Sequence, residues 1–280
     1  MSLELLRNCL PQGRHVSAFL MLGDPDPGRS LQLAQAAVTA GSTMLELGLP
    51  FDDPSADGPA IQAASLRARE GGTSTARALE LLAQIRTTCP NTPLNLLVYG
   101  NLVHARGYAR FCGDVVAAGA SSLLVPDIPH EEAGALRAAC VDARLGFVPL
   151  VGPRSDAARL RALDATSTAF VYLAALQGVT GADTAATSRT ALVRTVTREV
   201  AHPVCVGFGL SEPAHVRDAF AAGAKVAVIG SHLARAIALG CEQPDGPVPA
   251  FLAALRPLVA ARAPSSSPMS FPSAENPSCS

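Results

Sequence analysis

The sequence lacks several features that usually indicate a function directly. It contains no tryptophan, its aromatic residues make up 4% and its charged residues 16%, and its formal net charge is −1. A net charge this close to zero supplies no strongly basic surface for nucleic acid or for an anionic membrane. We therefore expect neither a nucleic-acid nor a membrane partner. The missing tryptophan carries no functional weight.

Signatures of metal sites, disulfides, membrane spans and dinucleotide binding are also missing. The seven cysteines show no Cys-x-x-Cys pair and the six histidines no metal-ligand spacing, which argues against zinc and against a disulfide framework. The apolar runs fall well short of the roughly 20 residues that span a bilayer, and residues 1–14 lack the core of a signal peptide. No Gly-x-Gly-x-x-Gly follows the first predicted strand. We expect a cytoplasmic protein with free thiols, no metal and no cofactor.

Short apolar segments alternate along the chain with longer helical ones. Three- and four-residue apolar spacing predicts helices such as 30–40, 75–87 and 131–143. Apolar strands alternating with helices indicate a parallel sheet covered on both faces. The number of units favours a single α/β domain, a (β/α)₈ barrel over residues 1–262, rather than an open sheet. The predicted strands are 16–22, 43–49, 94–99, 121–126, 146–150, 169–173, 204–207 and 225–229.

Small residues and the end of the chain refine these boundaries. Ala-Gly-Ser at 40–42 and Ala-Gly-Ala at 118–120 and 222–224 each precede a predicted strand. Glycine there suits the left-handed residue that ends a helix. Residues 263–280 are rich in serine and proline and lack periodicity, so we expect a disordered tail without a catalytic role.

The most informative segment runs from Leu45 to Pro59. Glu46 lies in the middle of an apolar predicted strand, and Asp57 follows a proline-containing turn. Burying an unpaired carboxylate costs several kcal/mol or raises its pKa. Period-two alternation places Leu45 and Leu47 toward the helices and Glu46 toward the barrel interior. Glu46 is therefore either a catalytic acid or a buried acid held by neighbouring hydroxyls or amides.

Further candidates lie at the carboxyl ends of the predicted strands, where barrel enzymes carry their chemistry. Asp57 is either a catalyst or an N-cap of the next helix. Asp127 either caps the helix that follows it or faces a substrate or partner. Tyr99 and Tyr172 end the third and sixth predicted strands and are either functional or part of the packing at the rim. Asp53 is a loop acid, of a kind that more often forms turns.

Two glycine-containing segments suggest a phosphate site. Residues 207–211, Gly-Phe-Gly-Leu-Ser, follow the seventh predicted strand, and Gly230-Ser231 follow the eighth. Loops at these two places often bind phosphate in barrels, through backbone N–H groups and a helix N-terminus. No basic side chain is then required. The segment Gly178 to Gly181, after the sixth strand, is either a lid or an ordinary mobile loop.

Together these motifs resemble the tryptophan synthase alpha subunit family, over roughly Val16 to Ile237. The matching segments include Leu-Gly-Asp-Pro at 22–25, residues 46–62, Tyr99-Gly100-Asn101 and Pro126-Asp127, besides the glycine segments. The resemblance implies a (β/α)₈ barrel that cleaves indole-3-glycerol phosphate to indole and glyceraldehyde 3-phosphate without a cofactor. It also implies a pyridoxal-phosphate-dependent beta subunit as the partner, which receives the indole through a tunnel.

The resemblance implies a role for each candidate residue. Glu46 would act as general acid and base, Asp57 would accept the indole N–H, and Tyr172 would position the reacting end of the substrate. The other implied roles are substrate binding by Phe19, Tyr99, Thr180 and Phe208, phosphate binding by Gly181, Gly209, Gly230 and Ser231, and partner contacts by Asp53 and Asp127.

Some positions depart from the family pattern and keep alternatives open. In the partner-facing loops Asp52 and Ala175 stand where serine is frequent, and Ser55 where a larger residue is usual. His232 follows the phosphate Gly-Ser where a small residue is typical. The alternatives are a stand-alone lyase that releases free indole for a secondary pathway and a barrel that only activates a beta subunit. A different barrel isomerase would need another catalytic residue at a strand end, and Lys225 lies at the wrong end.

Overall fold

The computed structural model of the chain describes residues 2–174 and 182–263, with the backbone alone for residues 182–188. Thr180, Gly181 and the predicted tail from residue 264 onward lie outside the described residues.

The strands are β1 (His15–Met21), β2 (Met44–Gly48), β3 (Leu94–Leu97), β4 (Ser122–Leu124), β5 (Gly146–Phe147), β6 (Leu150–Val151), β7 (Val171–Leu173), β8 (Val204–Val206) and β9 (Val226–Ile229). The helices are α1 (Ser2–Cys9), α2 (Pro27–Thr39), α3 (Pro59–Glu70), α4 (Thr75–Thr88), α5 (Gly100–Arg106), α6 (Tyr108–Ala117), α7 (Gly134–Asp142), α8 (Ala157–Asp164), α9 (Ala182–Glu199), α10 (Pro213–Ala221), α11 (Ser231–Cys241) and α12 (Pro247–Ala260).

The strands form one parallel sheet that curls into the predicted barrel. Their order is β5-β4-β3-β2-β1-β9-β8-β7-β6. The fifth predicted strand is divided in two at Val148-Pro149, since proline has no N–H to donate to a neighbouring strand. Val148 N donates to the Leu123 carbonyl at 3.1 Å, and the Pro149 carbonyl accepts from Tyr172 N at 3.0 Å. This bent strand therefore contacts β4 on one side and β7 on the other, which closes the barrel.

The buried apolar side chains form two layers, one outside and one inside the sheet. Leu45 and Leu47 belong to the outer cluster, which the helices cover. Phe19 and Met44 belong to the inner cluster. Glu46 is 2% exposed and contacts Tyr172 of β7 across the interior. The alternation predicted for β2 is confirmed.

Two predicted helices differ from the structure at their starts. The first, expected from residue 30, begins at Pro27, because the Asp26 side chain accepts from Arg29 N at 2.9 Å and proline suits the first helical position. The one expected from residue 131 begins at Gly134, because Glu132 N bonds back only three residues, to the Pro129 carbonyl. Among the described helices, none is long and apolar enough to cross a membrane.

Left-handed residues end several helices, as the small-residue pattern predicts. The equivalent position after α7 carries Arg144, with φ of 56°. Leu145 N donates to the Cys140 carbonyl at 2.8 Å there, the bond that closes this kind of helix end. Arg144 therefore occupies a position that favours glycine. The predicted glycines have φ of 99° (Gly41), 100° (Gly119) and 105° (Gly223).

Arg144→Gly is expected to raise the free energy of unfolding by about 0.5–1 kcal/mol, because relief of the left-handed strain exceeds the entropy that glycine adds to the unfolded chain. Urea unfolding followed by circular dichroism measures the change. The matched control, Gly119→Ala, should destabilise the protein, since a Cβ there would lie 2.6 Å from Cγ of Arg86. A variant Arg144→Gly less stable than the wild type would contradict this account.

Candidate active site

A cavity of about 380 Å³ opens at the carboxyl ends of the barrel strands. This is a usual size and position for a small-molecule site. Apolar side chains line one part of it, two carboxylates lie along its wall, and glycine-containing loops form another part. The lining includes Phe19, Glu46, Asp57, Ile61, Leu97, Leu124, Leu150, Tyr172, Phe208, Gly209, Leu210, Val228, Gly230, Ser231, His232 and Arg235.

Glu46 is held by one hydrogen bond on each carboxylate oxygen. The Tyr172 hydroxyl donates to Oε1 and Asn95 Nδ2 donates to Oε2, both at 2.9 Å. Ser122 Oγ donates to Oδ1 of Asn95 at 2.8 Å, which orients the amide so that its nitrogen faces Glu46. A hydroxyl and an amide thus hold the acid, as expected for a buried structural acid. Glu46 also lines the cavity, as expected for a catalytic one.

The pKa of Glu46 is raised to about 7, mainly by burial and to a smaller extent by the nearby charge of Asp57, while the hydrogen bonds from Tyr172 and Asn95 oppose the shift. Desolvation dominates because a carboxylate inside an apolar barrel loses its hydration. Protonated and ionised forms therefore coexist near neutral pH. A group in that condition can both give and take a proton.

Asp57 lies at the edge of the same cavity, in the loop before α3. Gly58 is the N-cap of α3, and the Asp57 side chain makes no cap bond, so the N-cap interpretation is wrong. The Tyr99 hydroxyl donates to Oδ2 of Asp57 at 2.9 Å, and Oδ1 has no partner among the described residues. Burial raises the pKa of Asp57 to about 6, against the lowering effect of the Tyr99 bond. Asp57 therefore has an oxygen available for a donor on a bound molecule.

Tyr99 lies behind Asp57 rather than in the cavity wall. It is 2% exposed, its ring stacks on Phe51 at 5.2 Å, and its hydroxyl accepts from Ala56 N at 3.0 Å. Tyr99 is thus absent from the cavity lining but contacts two residues that belong to it, Ala56 and Asp57, and it orients the Asp57 carboxylate. Direct substrate binding by Tyr99 stays a prediction.

The two glycine-containing segments come together at one end of the cavity. No acceptor among the described residues takes the N–H groups of Phe208, Gly209 or Leu210. Ser231 begins α11, whose first N–H groups have no partner within the helix. His232 and Arg235, on the first turns of α11, line the same region. Free N–H groups, a helix N-terminus and the Arg235 side chain make this end suited to an anion.

Gly207 is required by its neighbour on β7. A Cβ at this position would lie 2.0 Å from the Tyr172 hydroxyl oxygen. Glycine here therefore leaves room for the side chain that donates to Glu46.

The structure places the remaining predicted residues as follows. Phe19, Phe208, Gly209, Gly230 and Ser231 line the cavity, whereas Thr180 and Gly181 lie outside the described residues. Asp53 is exposed in the loop after β2 and does not line the cavity.

Asp127 is exposed after β4, and its Oδ1 accepts from Gly100 N at 2.8 Å. It therefore caps α5, which follows β3, so capping of the helix that follows Asp127 is the wrong interpretation. The bond ties two neighbouring strand ends together at the rim of the barrel.

Three polar residues of the site escaped the sequence reasoning. Asn95 is a lone polar residue within the apolar run Leu94–Leu97 and pairs in register with Glu46. A polar residue inside an apolar predicted strand is the signal that identified Glu46, and it applies to Asn95 as well. Arg235 follows His232 by one helical turn, a spacing that places both on one face. Arg189 is buried beside Gly209, and no local pattern marks it. Within residues 2–174 and 189–263, no group of three or more His, Cys, Asp or Glu side chains could hold a metal ion.

Comparison with known proteins gives consistent matches. The family model described as tryptophan synthase alpha chain matches residues 10–256. The tryptophan synthase alpha chain of Aeromonas salmonicida is 41% identical over 228 residues, which are 81% of this chain and 85% of that protein.

Solved structures agree. Tryptophan synthase subunit alpha from Legionella pneumophila superposes with a TM-score of 0.83 at 28% identity, covering 93% of this chain and 96% of that one. A chain from a study of mutual activation in the tryptophan synthase α2β2 complex of Pyrococcus furiosus gives 0.81 at 30% identity, covering 88% and 98%.

Glu46→Gln is expected to change how stability depends on pH. The folded wild type keeps the Glu46 proton up to about pH 7, while the unfolded chain releases it above 4.5. Wild-type stability should therefore fall as pH rises through this window, and the stability of the variant relative to wild type should rise by about 3 kcal/mol. Chemical unfolding at pH 4.5 to 8 measures the difference. An exposed control, Glu70→Gln, should show no such trend, and a flat difference for Glu46→Gln would contradict the raised pKa.

Proposed function

The chain belongs to the tryptophan synthase alpha chain family, and on that premise we propose that it cleaves indole-3-glycerol phosphate to indole and glyceraldehyde 3-phosphate. The observation that carries the proposal is the pairing of Glu46, with a pKa of about 7, and Asp57, with a pKa of about 6, on the wall of one cavity. The cavity has an apolar part and an anion-binding part, which match the two halves of this substrate.

The two parts of the cavity fix the direction of the substrate. Phe19, Ile61 and Leu124 provide an apolar surface for the indole ring. The phosphate would lie against the loop around Gly209 and the start of α11, where the free N–H groups are. The glycerol carbons then lie between them, next to Glu46 and Tyr172.

The reaction needs a place for the electrons of the carbon–carbon bond that breaks. Glu46, in its protonated form, gives a proton to the ring carbon that carries the glycerol chain, and the ring becomes an indolenine cation. Asp57 accepts the ring N–H through its free oxygen and stabilises the positive charge. The ionised Glu46 then removes the proton of the adjacent hydroxyl. The bond breaks, its electrons neutralise the ring, and indole and the aldehyde are released with Glu46 protonated again.

This sequence of steps uses one residue as acid and then as base. A pKa near the working pH gives the best compromise between the two roles. The hydrogen bonds from Tyr172 and Asn95 keep the carboxylate in one orientation throughout. Because the protonated indole itself accepts the electrons, the proposed chemistry requires no cofactor in this chain.

We further propose a tryptophan synthase beta subunit as partner and a cytoplasmic location. The partner is supported by the likeness to a chain of the Pyrococcus furiosus α2β2 complex. Asp53 and Asp127, both exposed on loops at the carboxyl end of the barrel, are the proposed contacts. The location is supported by the scattered cysteine pattern.

The decisive experiment is indole release from indole-3-glycerol phosphate by the purified chain, alone and with a tryptophan synthase beta subunit added. A coupled alpha subunit predicts weak activity that rises when the partner is added. Strong activity that the partner leaves unchanged would mean a stand-alone lyase. An inactive chain that nevertheless stimulates the beta subunit would mean a purely activating role, and the proposed reaction would then be wrong.

Glu46→Gln is expected to lower kcat about a hundredfold or more, because it keeps the shape of the side chain but removes proton transfer. Asp57→Asn should also be severely impaired, since its amide cannot provide the negative charge opposite the indole nitrogen. The same indole assay measures both, with the exposed Glu70→Gln as the control. Near-normal turnover by Glu46→Gln would refute the assignment.

A further inference from the structure

Arg189 is a buried cation next to the end of the cavity assigned to phosphate. It lies on α9 and is 6% exposed, and its Nη1 donates to the Gly209 carbonyl at 2.7 Å. Its Nε and Nη2 are buried without a hydrogen-bond partner in the part of the chain that the structure describes. A buried guanidinium normally has a carboxylate or several acceptors around it, because its desolvation is costly.

The acids near Arg189 do not meet this requirement. Glu212 and Asp218 are close enough to raise its pKa, against the larger lowering effect of burial. Both are exposed, and neither forms an ion pair with Arg189 within the described residues. Among the described residues, the positive charge at the cavity end is thus left largely without a counter-charge.

The bond from Arg189 also orients a peptide of the anion-binding loop. The Gly209 carbonyl and the Leu210 N–H belong to one trans peptide and point in opposite directions. With the carbonyl held toward Arg189, the N–H is directed away from it, and both Gly209 and Leu210 line the cavity. Gly209 has φ of 65°, and a Cβ there would lie 3.0 Å from Nη1 of Arg189, so both the left-handed backbone and the close approach favour glycine.

We propose that Arg189 is a positioning residue for the substrate's phosphate group. It holds the Gly209–Leu210 peptide so that its N–H faces the anion, and its own charge stabilises the bound phosphate, which in turn supplies the missing counter-charge. The inference rests on the proposed function for the location of the phosphate. It adds a buried cation to a site otherwise formed by backbone N–H groups and the rim residues of α11.

The alternative is that the hydrogen bond from Arg189 to Gly209 only holds α9 against the loop. A neutral donor would serve that purpose equally well. The two explanations differ in the role of the charge. If the bond were only structural, its loss would lower the affinity for every ligand of the cavity alike.

The test compares Arg189→Gln and Arg189→Lys with the wild type in the full chain, after circular dichroism has confirmed folding. Glutamine keeps a donor for the Gly209 carbonyl but lacks the charge, and lysine keeps the charge. Calorimetry would measure binding of glycerol 3-phosphate, which represents the phosphate end, and of indole, which carries no phosphate. Arg194→Gln is the control, because Arg194 is an exposed arginine of the same helix.

Arg189→Gln should weaken glycerol 3-phosphate binding about tenfold or more and leave indole binding within about twofold. Arg189→Lys should bind glycerol 3-phosphate more tightly than Arg189→Gln, and Arg194→Gln should match the wild type. In steady-state kinetics KM should rise in Arg189→Gln with little change in kcat, which is the pattern of lost ground-state binding.

Unchanged glycerol 3-phosphate binding, or an equal loss for both ligands, would overturn the inference. If Arg189→Gln does not fold, Arg189→Met takes its place, because it also lacks the charge and leaves no unpartnered cation to bury. Weaker glycerol 3-phosphate binding with unchanged indole binding would then support the role, whereas wild-type affinity for both ligands would overturn it. Since binding is measured without turnover, a wild type that binds glycerol 3-phosphate but does not cleave the substrate would refute only the proposed reaction. Active wild type with an unaffected Arg189→Gln would refute only the role of Arg189.

Discussion

The burial of one carboxylate, Glu46, is the constraint on which much of this barrel depends. A carboxylate that is 2% exposed inside an apolar sheet must find donors or take up a proton, and this one does both in part. Asn95 comes from the neighbouring strand β3, and its amide is oriented in turn by Ser122 of β4. Tyr172 reaches Glu46 from β7, on the other side of the interior, and needs a glycine at position 207. One acid thus constrains side chains on four other strands or strand ends.

The two acids of the cavity are alike in chemistry and different in setting. Glu46 is on a strand with a donor on each oxygen, whereas Asp57 is in a loop with a single tyrosine donor and a free oxygen. Burial raises the pKa of both. A carboxylate held in one orientation is suited to give a proton to one carbon and then to take a proton from one oxygen. A loop carboxylate with a free oxygen suits reception of an N–H when the ring arrives.

Positive charge is placed in two ways at the end of the cavity proposed to bind phosphate. Arg235 lies at the rim on α11, where solvent screens it. Arg189 lies behind the loop, away from water, where its charge acts in a less polarisable environment and is felt more strongly. The backbone N–H groups between them would orient a bound anion, and the buried cation would add electrostatic attraction.

The sequence by itself determined the barrel, the inward direction of Glu46, the left-handed glycines at the helix ends and the glycine-containing loops that line the cavity. These follow from periodicity and from backbone conformations that only certain residues accept, and both are local properties of a chain. Only the tertiary structure decided that Tyr99 serves Asp57, that Asp127 caps α5 rather than the helix after it, that the fifth strand divides at Pro149, and that Arg189 holds Gly209. Each of these depends on which strand ends and loops lie side by side, and Tyr172 and Glu46, for example, are 126 residues apart. Hydrogen bonds between such distant residues exist only once the sheet has closed, because closure fixes the distances and directions that local sequence leaves free.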